Sequence, residues 1–397
     1  MITNNEMIET KRRLGEILHS FKIGYQDINA VAGPTVTLYE LTPNDGVRIS
    51  KIRNLKDEIA VGLHVQSVRI IAPMPNGTVG IEVPNEQRNI IPFSDMLMSN
   101  DYRETDMELP LCIGKMTDNS IFMADLATMP HLLVAGATGM GKSVGLNVII
   151  ASLINKKSPD ELKLVLVDPK QVELSVYERI AKPYIAKLDV SEESIITDTN
   201  NAQRALNAVI DLMEERYAML KEKNVRNLKE YNAVADEKLP YYVVIIDEYG
   251  DLIMQTKGTA MENAICRIAQ KARAVGIHMI ISTQRPSTDI VTGRIKANFP
   301  TRIAFRTVTG TDSRVILDRI GAEKLTGKGD MLFFDGGETT RIQCAYISTE
   351  EVIDLCNDVA NEYEDYKQTT LKTAPAYSQT QSRTKIIETA YGMKIII

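Results

Sequence analysis

Short apolar runs alternate with longer segments whose apolar residues recur at helical spacing. The five residues His131–Ala135 form one such run and read as a buried strand. Residues 144–154 place Val144, Val148, Ala151 and Ile154 on one face and predict a helix. Further strands are predicted at 163–167, 242–246, 277–281, 301–305 and 331–334, the run at 242–246 being the most apolar. A long helix is predicted over 201–223 from the stripe Leu206, Val209, Ile210, Met213, Tyr217 and Leu220. Strands alternating with helices predict an α/β domain over residues 106–368, a mostly parallel sheet with helices on both faces.

The pattern before residue 106 is different. Met7, Leu14, Ile17, Leu18 and Phe21 form a helical stripe among charges within residues 1–28. Alternating segments at 35–41, 68–72 and 78–83 predict strands, separated by turn residues at 43–46 and 73–77. Ile52, Leu55, Ile59 and Leu63 share one helical face between them. This predicts a small α+β domain over 1–105, closed by the polar stretch 99–106, with nothing catalytic in it. From residue 369 the chain turns polar, predicting a weakly ordered tail over 369–397.

Length and composition fit a multidomain globular chain: 397 residues, 44% hydrophobic, 25% charged. The balance of 46 basic and 52 acidic residues gives a net charge of −6, so any nucleic-acid surface has to be local. Cys112, Cys266, Cys344 and Cys356 lack C-x-x-C spacing, which argues against zinc or a disulfide framework and suits a reducing cytoplasm. No apolar run approaches the roughly 20 residues of a membrane helix, and residues 1–13 are too polar for a signal peptide. The expectation is a cytoplasmic chain with no membrane segment.

The chemistry gathers at Gly136-Ala137-Thr138-Gly139-Met140-Gly141-Lys142-Ser143, between a predicted strand and the helix opening at Val144. Here G-x-x-x-x-G-K-[ST] has the strand–loop–helix context of a phosphate site. The glycines let backbone N–H groups turn inward, the helix N-terminus adds partial positive charge, Lys142 reaches the outer phosphates and Ser143 holds Mg²⁺. A nucleoside triphosphate is therefore the expected ligand. Asp247 and Glu248 follow the most apolar strand; Asp247 suits the metal and Glu248 a general base for the attacking water. Gln284 ends the next strand, where an amide can sense the γ-phosphate or the water. Arg285, Arg302, Arg306 and Arg314 are candidates for a guanidinium supplied to the transition state. Arg302, at a strand start, is expected at a subunit edge, reaching a neighbour's nucleotide. Lys271 and Arg273 either line a pore or solvate a helix face, and Arg314 and Lys328 are candidates for phosphate-contacting loops.

These segments together resemble the FtsK/SpoIIIE family of DNA-pumping motors. The resemblance runs in order over about 110–345. It takes in the phosphate loop, residues 168–177 (DPKQVELSVY), 225–232, the Asp247-Glu248 strand, 268–278, 282–286, 295–305, 312–314 and 327–331. The first 100 residues are similar to the family's small ring-stacking domain. The resemblance implies a RecA-like P-loop NTPase motor, a hexameric homo-oligomer, ATP and Mg²⁺ at subunit interfaces, and double-stranded DNA in the pore. It assigns Lys142, Ser143, Asp247, Glu248 and Gln284 to one subunit's site, Arg302 to action across the interface, and Arg314 and nearby loops to the DNA backbone. Family members usually carry an N-terminal membrane region and a C-terminal winged-helix module, which this sequence does not display. A motor fragment or a naturally short member is expected, the alternative being a related ATPase that powers protein secretion or conjugative transfer.

Overall fold

The computed structural model describes residues 4–74, 76–189, 191, 193–256, 259–373, 386–388 and 394–396. The amino-terminal part begins with α1 (Asn4–Ser20), β1 (Tyr25–Ala32) and β2 (Val36–Pro43). It continues with α2 (Ile49–Asn54), α3 (Lys56–Gly62), β3 (Arg69–Ile71) and β4 (Val79–Pro84). The four strands form an antiparallel sheet in the order β1-β2-β4-β3. Alternation puts Tyr39, Leu41, Val79, Ile81 and Val83 into one core with Leu14, Leu18, Ile52 and Ile59 of the helices. The single helix expected over 49–63 is two, because the backbone at Leu55 (φ −83°, ψ 13°) leaves the helical region. No strand is expected at β1 from the sequence, since its residues are mostly half-buried or exposed and lack an apolar alternation.

Short helices α4 (Phe93–Leu97) and α5 (Asn100–Arg103) lead into β5 (Pro110–Met116), β6 (Ile121–Asp125) and β7 (His131–Ala135). Then come α6 (Lys142–Lys156), β8 (Leu162–Val167), α7 (Ala181–Tyr184), β9 (Lys187–Leu188), α8 (Thr199–Glu222), α9 (Leu228–Val234) and β10 (Tyr241–Ile246). Next are α10 (Tyr249–Thr256), α11 (Thr259–Lys271), β11 (Ile277–Thr283), α12 (Gly293–Asn298), β12 (Thr301–Phe305) and α13 (Gly310–Leu317). The domain ends with β13 (Asp330–Phe334), β14 (Thr339–Cys344) and α14 (Thr349–Glu362).

Nine of these strands make one sheet, ordered β6-β5-β14-β13-β12-β7-β11-β10-β8. The five from β12 to β8 are parallel, and β13, β14, β5 and β6 extend the sheet antiparallel. Within the parallel strands, successive residues point to opposite faces. Leu132, Val134, Leu164, Leu166, Val243 and Ile245 pack with α6, while Leu133, Val165, Val167, Val244 and Ile246 pack with α8 and α11. Both faces are thus covered, as a parallel sheet of near-continuous apolar strands requires. The chain leaves β7 toward β8 on one side and later returns to β12 on the other, so β7 and β11 flank the point where the winding reverses. Ligands of such sheets bind outside the carboxyl ends at that point.

The two sheets are joined by buried polar contacts. Glu82 of β4 accepts from Arg341 Nη1 of β14 at 2.6 Å, and Arg341 also forks onto Asp330 of β13 at 3.0 and 2.7 Å. Asp330 Oδ2 accepts from the Thr326 N–H at 2.7 Å, fixing the turn before β13. Arg88 Nη1 donates to the Thr326 carbonyl at 3.0 Å, and Thr35 bonds Gln343. The expected tail is paired at its start: β15 (Thr370–Leu371) runs parallel to β9. β16 (Ile386–Glu388) and β17 (Lys394–Ile396) pair antiparallel, and the rest of that expectation lies outside the described residues. No helix among the described residues is long and apolar enough to cross a membrane.

Candidate functional site

β7 delivers the chain to the carboxyl edge of the sheet, and the loop from Gly136 to Gly141 turns it into α6. Gly139 (φ 75°) and Gly141 (φ 116°) hold the left-handed backbone that glycine adopts freely. A Cβ on Gly141 would lie 2.7 Å from the Gly329 nitrogen, so the loop is pressed against the turn before β13. The Gly329 N–H holds it there through the Met140 carbonyl (2.9 Å), and the Ala137 N–H ties it to the Arg306 carbonyl just after β12 (2.9 Å). Helix α6 starts at Lys142, which places the unpaired N–H groups and the positive end of its dipole behind the loop.

Strand order brings the acidic pair to the same edge. One strand, β11, separates β7 from β10, and its last residues fill the gap. The buried Lys142 ammonium pairs with Asp247 Oδ1 and donates to Ser282 Oγ at 3.1 Å, and Ser282 Oγ donates to Asp247 Oδ1 at 2.8 Å. Asp247 Oδ2 is buried with no hydrogen-bond partner among the described residues. Glu248 is buried at φ 54°. Its carboxylate accepts from Thr283 Oγ1 (2.8 Å), the Gln284 N–H (3.2 Å) and Lys170 Nζ (3.3 Å). Gln284 Oε1 accepts from Thr138 Oγ1 at 2.6 Å, which joins the end of β11 to the phosphate loop. Lys142, Asp247, Glu248 and Gln284 therefore converge as the sequence predicts.

A loop that the sequence reading gave no role completes the arrangement. After β8, the buried Asp168 carboxylate accepts the N–H groups of Lys170, Gln171, Val172 and Leu174 at 3.0–3.1 Å. The pinned loop sends Lys170 to Glu248 and Glu173 to Ser143, whose Oγ donates to Glu173 Oε1 at 2.6 Å. Burial works to lower the Lys170 pKa, and Glu248 and Asp251 (3.5 Å) outweigh it, so the net displacement is upward. The signal available in the sequence was the charged run Asp168-Pro-Lys-Gln-Val-Glu173 directly after a buried strand.

Ser143 Oγ and the unpartnered Asp247 oxygen fit a divalent cation that also takes phosphate oxygens. No cluster of three or more His, Cys, Asp or Glu able to hold a metal occurs among the described residues. Mg²⁺ at phosphate sites needs none, being held through one or two protein ligands plus phosphates. The loop borders a cleft of about 440 Å³ whose wall includes Ile90, Ile91, Ala345 and Tyr346.

The remaining predicted residues do not all join this site. Lys328, expected on a DNA-contacting loop, instead lines the nucleotide cleft beside Gly329. Arg302 is not at an exposed edge, because β12 lies between β7 and β13. Its buried guanidinium bonds the carbonyls of Lys296 (3.0 Å), Phe299 (3.0 Å) and Ile316 (3.1 Å) and pairs with Asp318 at 2.6 Å. That wiring ties α12 and α13 to the strand and engages four of the five guanidinium N–H groups within the subunit. Arg314 is exposed on α13 rather than in a loop, the helix being opened by a Thr309/Asp312 capping box. Lys271 and Arg273 are exposed before β11 begins, at the end of the sheet remote from the phosphate loop.

Comparison with known proteins accords with this geometry. Residues 93–288 match the FtsK/SpoIIIE family and residues 1–85 the FtsK alpha domain. A DNA translocase FtsK of Chlorobaculum tepidum is 46% identical over 353 residues, covering 87% of this chain and 44% of that protein. A DNA translocase FtsK of Haemophilus influenzae is 41% identical over 387 residues, covering 90% of this chain and 72% of that protein. The chain spans about half the length of most of the curated relatives it matches. Among solved structures, the pCW3 conjugation coupling protein TcpA, in its monomer form with ATPγS, aligns with TM-score 0.63 and 23% identity over 89% of this chain and 99% of that one. The type VII secretion ATPase EccC of Thermomonospora curvata aligns with TM-score 0.58 and 22% identity over 71% of this chain and 35% of that one. These two likenesses bear on the fold, a P-loop ATPase fold with a RecA-like sheet. With a nucleotide-binding loop, its acidic pair and relatives above 40% identity along nearly the whole sequence, the chain belongs to the FtsK/SpoIIIE family.

Proposed function

We propose that this chain is the motor portion of an ATP-driven translocase of double-stranded DNA, acting as a hexameric ring. The observation that carries the reading is the convergence of Lys142, Asp247, Glu248 and Gln284 at one carboxyl edge, in a chain of this family. ATP enters along the cleft with its base toward Ile90 and Tyr346 and its phosphates in the loop from Gly136 to Val144. Lys142 exchanges its ion pair with Asp247 for the outer phosphates. Ser143 and Asp247 would hold Mg²⁺, which would supply neutralisation of phosphate charge. Glu248 orients and deprotonates the attacking water, and Gln284, through Thr138, senses whether the γ-phosphate is present. Residues 106–368 form the motor and 1–105 the ring-stacking domain. Lys271, Arg273 and Arg314 are the exposed cations proposed to meet the DNA backbone, and Arg302 has a structural role.

The test is ATP turnover with and without long duplex DNA. Stimulation by duplex of any sequence, weakening steeply with salt, is expected of backbone contacts. Turnover that ignores duplex DNA overturns the translocase reading. The Glu248→Gln variant should lose about 10²–10⁴ in kcat while still binding ATP, as expected when a general base is removed. Unchanged turnover would remove Glu248 from the base's role.

A further inference from the structure

We propose that Glu173 is a positioning residue for the metal-binding serine. Its carboxylate takes the Ser143 hydroxyl proton in a hydrogen bond and so turns an oxygen lone pair toward the cation. The inference rests on the assignment of Ser143 and Asp247 to Mg²⁺ above.

A serine hydroxyl has one donor and two lone pairs, and it rotates to suit its partners. It ligates a cation only through a lone pair, with its proton directed away. Left alone, the Ser143 hydroxyl could donate to a phosphate oxygen or to water as readily as it could face the metal. The Ser143 Oγ to Glu173 Oε1 distance of 2.6 Å is that of a strong bond to an ionised acceptor, which fixes the rotor. Outer partners of this kind raise ligand basicity and set its direction.

Two independent features make Glu173 a built partner. The first is the rigidity of its loop: four backbone N–H groups converge on the Asp168 carboxylate, and the last of them belongs to Leu174, the residue after Glu173. Leu174 is itself fully buried. The second is the state of the other protein ligand: Asp247 keeps one buried oxygen without a partner while Lys142 and Ser282 occupy the other. One carboxylate oxygen without a partner and one hydroxyl with its proton tied back are what a cation requires of these side chains. Two other side chains near the loop are engaged elsewhere, Lys170 with Glu248 and Thr138 with Gln284.

The experiment measures binding, using the full chain, a fluorescent non-hydrolysable ATP analogue and a titration of Mg²⁺. Compared with wild type, Glu173→Ala should raise the half-saturating Mg²⁺ concentration about tenfold, the lower end for loss of an outer-shell partner. Analogue affinity in EDTA should stay within about twofold, because Glu173 acts on the phosphates only through the metal. Glu173→Gln should fall between wild type and Glu173→Ala, since its amide oxygen still accepts without the charge. On a Ser143→Ala background, Glu173→Ala should add little. Equal Mg²⁺ midpoints in wild type and both Glu173 variants overturn the proposal. So does a full additional effect on the Ser143→Ala background, which would mean that Glu173 meets the metal shell independently. A thermal melt on each variant separates misfolding from loss of Mg²⁺ response. These outcomes do not depend on DNA, so failure of the translocase reading and failure of this one are read separately.

Discussion

Gly141 and Gly139 are both left-handed, but their surroundings differ, and that difference is testable residue by residue. A methyl at Gly141 would meet the Gly329 backbone at 2.7–2.8 Å, whereas nothing lies within 4 Å of the same position at Gly139. Gly139→Ala should therefore cost about 1 kcal/mol, the strain of a left-handed alanine alone. Gly141→Ala should cost clearly more and also weaken ATP binding, because the phosphate loop must lift from the turn it rests on. Urea unfolding and a nucleotide titration of the two variants check the order. At this scale the sequence was most informative where chemistry forces a residue type: glycine for positive φ, lysine and serine beside phosphate, a carboxylate after a buried strand. For Asp168, Lys170 and Glu173 it offered only a charged run after a buried strand. Their roles depend on where the loop folds back from β8, which that run does not specify. Arg302 shows the opposite failure, since a charged residue at a strand start looks exposed until α12 and α13 close over it.

At the scale of elements, the parallel strands were legible because each is mostly apolar, interrupted only by single residues such as Lys163, His278 and Arg302. Of the antiparallel extension only β13 was legible: β14 is mostly polar, and the four-residue apolar runs at 110–113 and 121–124 in β5 and β6 carried no strand expectation. Arg341 explains why β14 tolerates a buried charge, since its partners lie on β13 and on β4 of the other sheet. Burial works against the charged Arg341, but Asp330 and Glu82 hold its pKa well above the usual value. Burial likewise raises the pKa of Asp330, and Arg341 more than reverses this to leave it below the usual carboxylate range. Removing the arginine strands two buried carboxylates. Arg341→Leu should thus lose about 3–5 kcal/mol of stability in urea unfolding, the range for a buried pair deprived of one partner. A loss below 1 kcal/mol would mean that water reaches the site.

For the whole molecule, acid sensitivity follows from two histidines at the start of β7 and in β11. Burial pushes His131 down to about 3, with His278 adding to the effect, and burial pushes His278 down to about 4. Both are therefore neutral in the folded protein, whereas an unfolded histidine titrates near 6.5. With folded values depressed, stability is complete above about pH 6.5. It falls as pH drops, until the folded histidines themselves protonate. Between pH 7.5 and 5.5 the loss should be about 3 kcal/mol by urea unfolding, from two groups that each lose about 1.4 kcal/mol across that range. A His131→Phe, His278→Phe double variant should remove most of that slope. With a net charge of −6, the duplex binding proposed above would have to come from local cations, so neutralising Lys271 and Arg273 together should lower DNA binding and its salt slope without affecting ATP affinity.

The turn from Thr326 to Gly329 is shared property. Arg88, just beyond β4, and the Glu82–Arg341–Asp330 chain from the amino-terminal sheet hold it, while its Gly329 N–H supports the phosphate loop through Met140. A twist applied to the first 85 residues therefore has a short mechanical route to the nucleotide, and a change of nucleotide has the same route back. Were the chain assembled in the ring proposed above, load borne by its first 85 residues would have a path to the fuel site inside its own subunit.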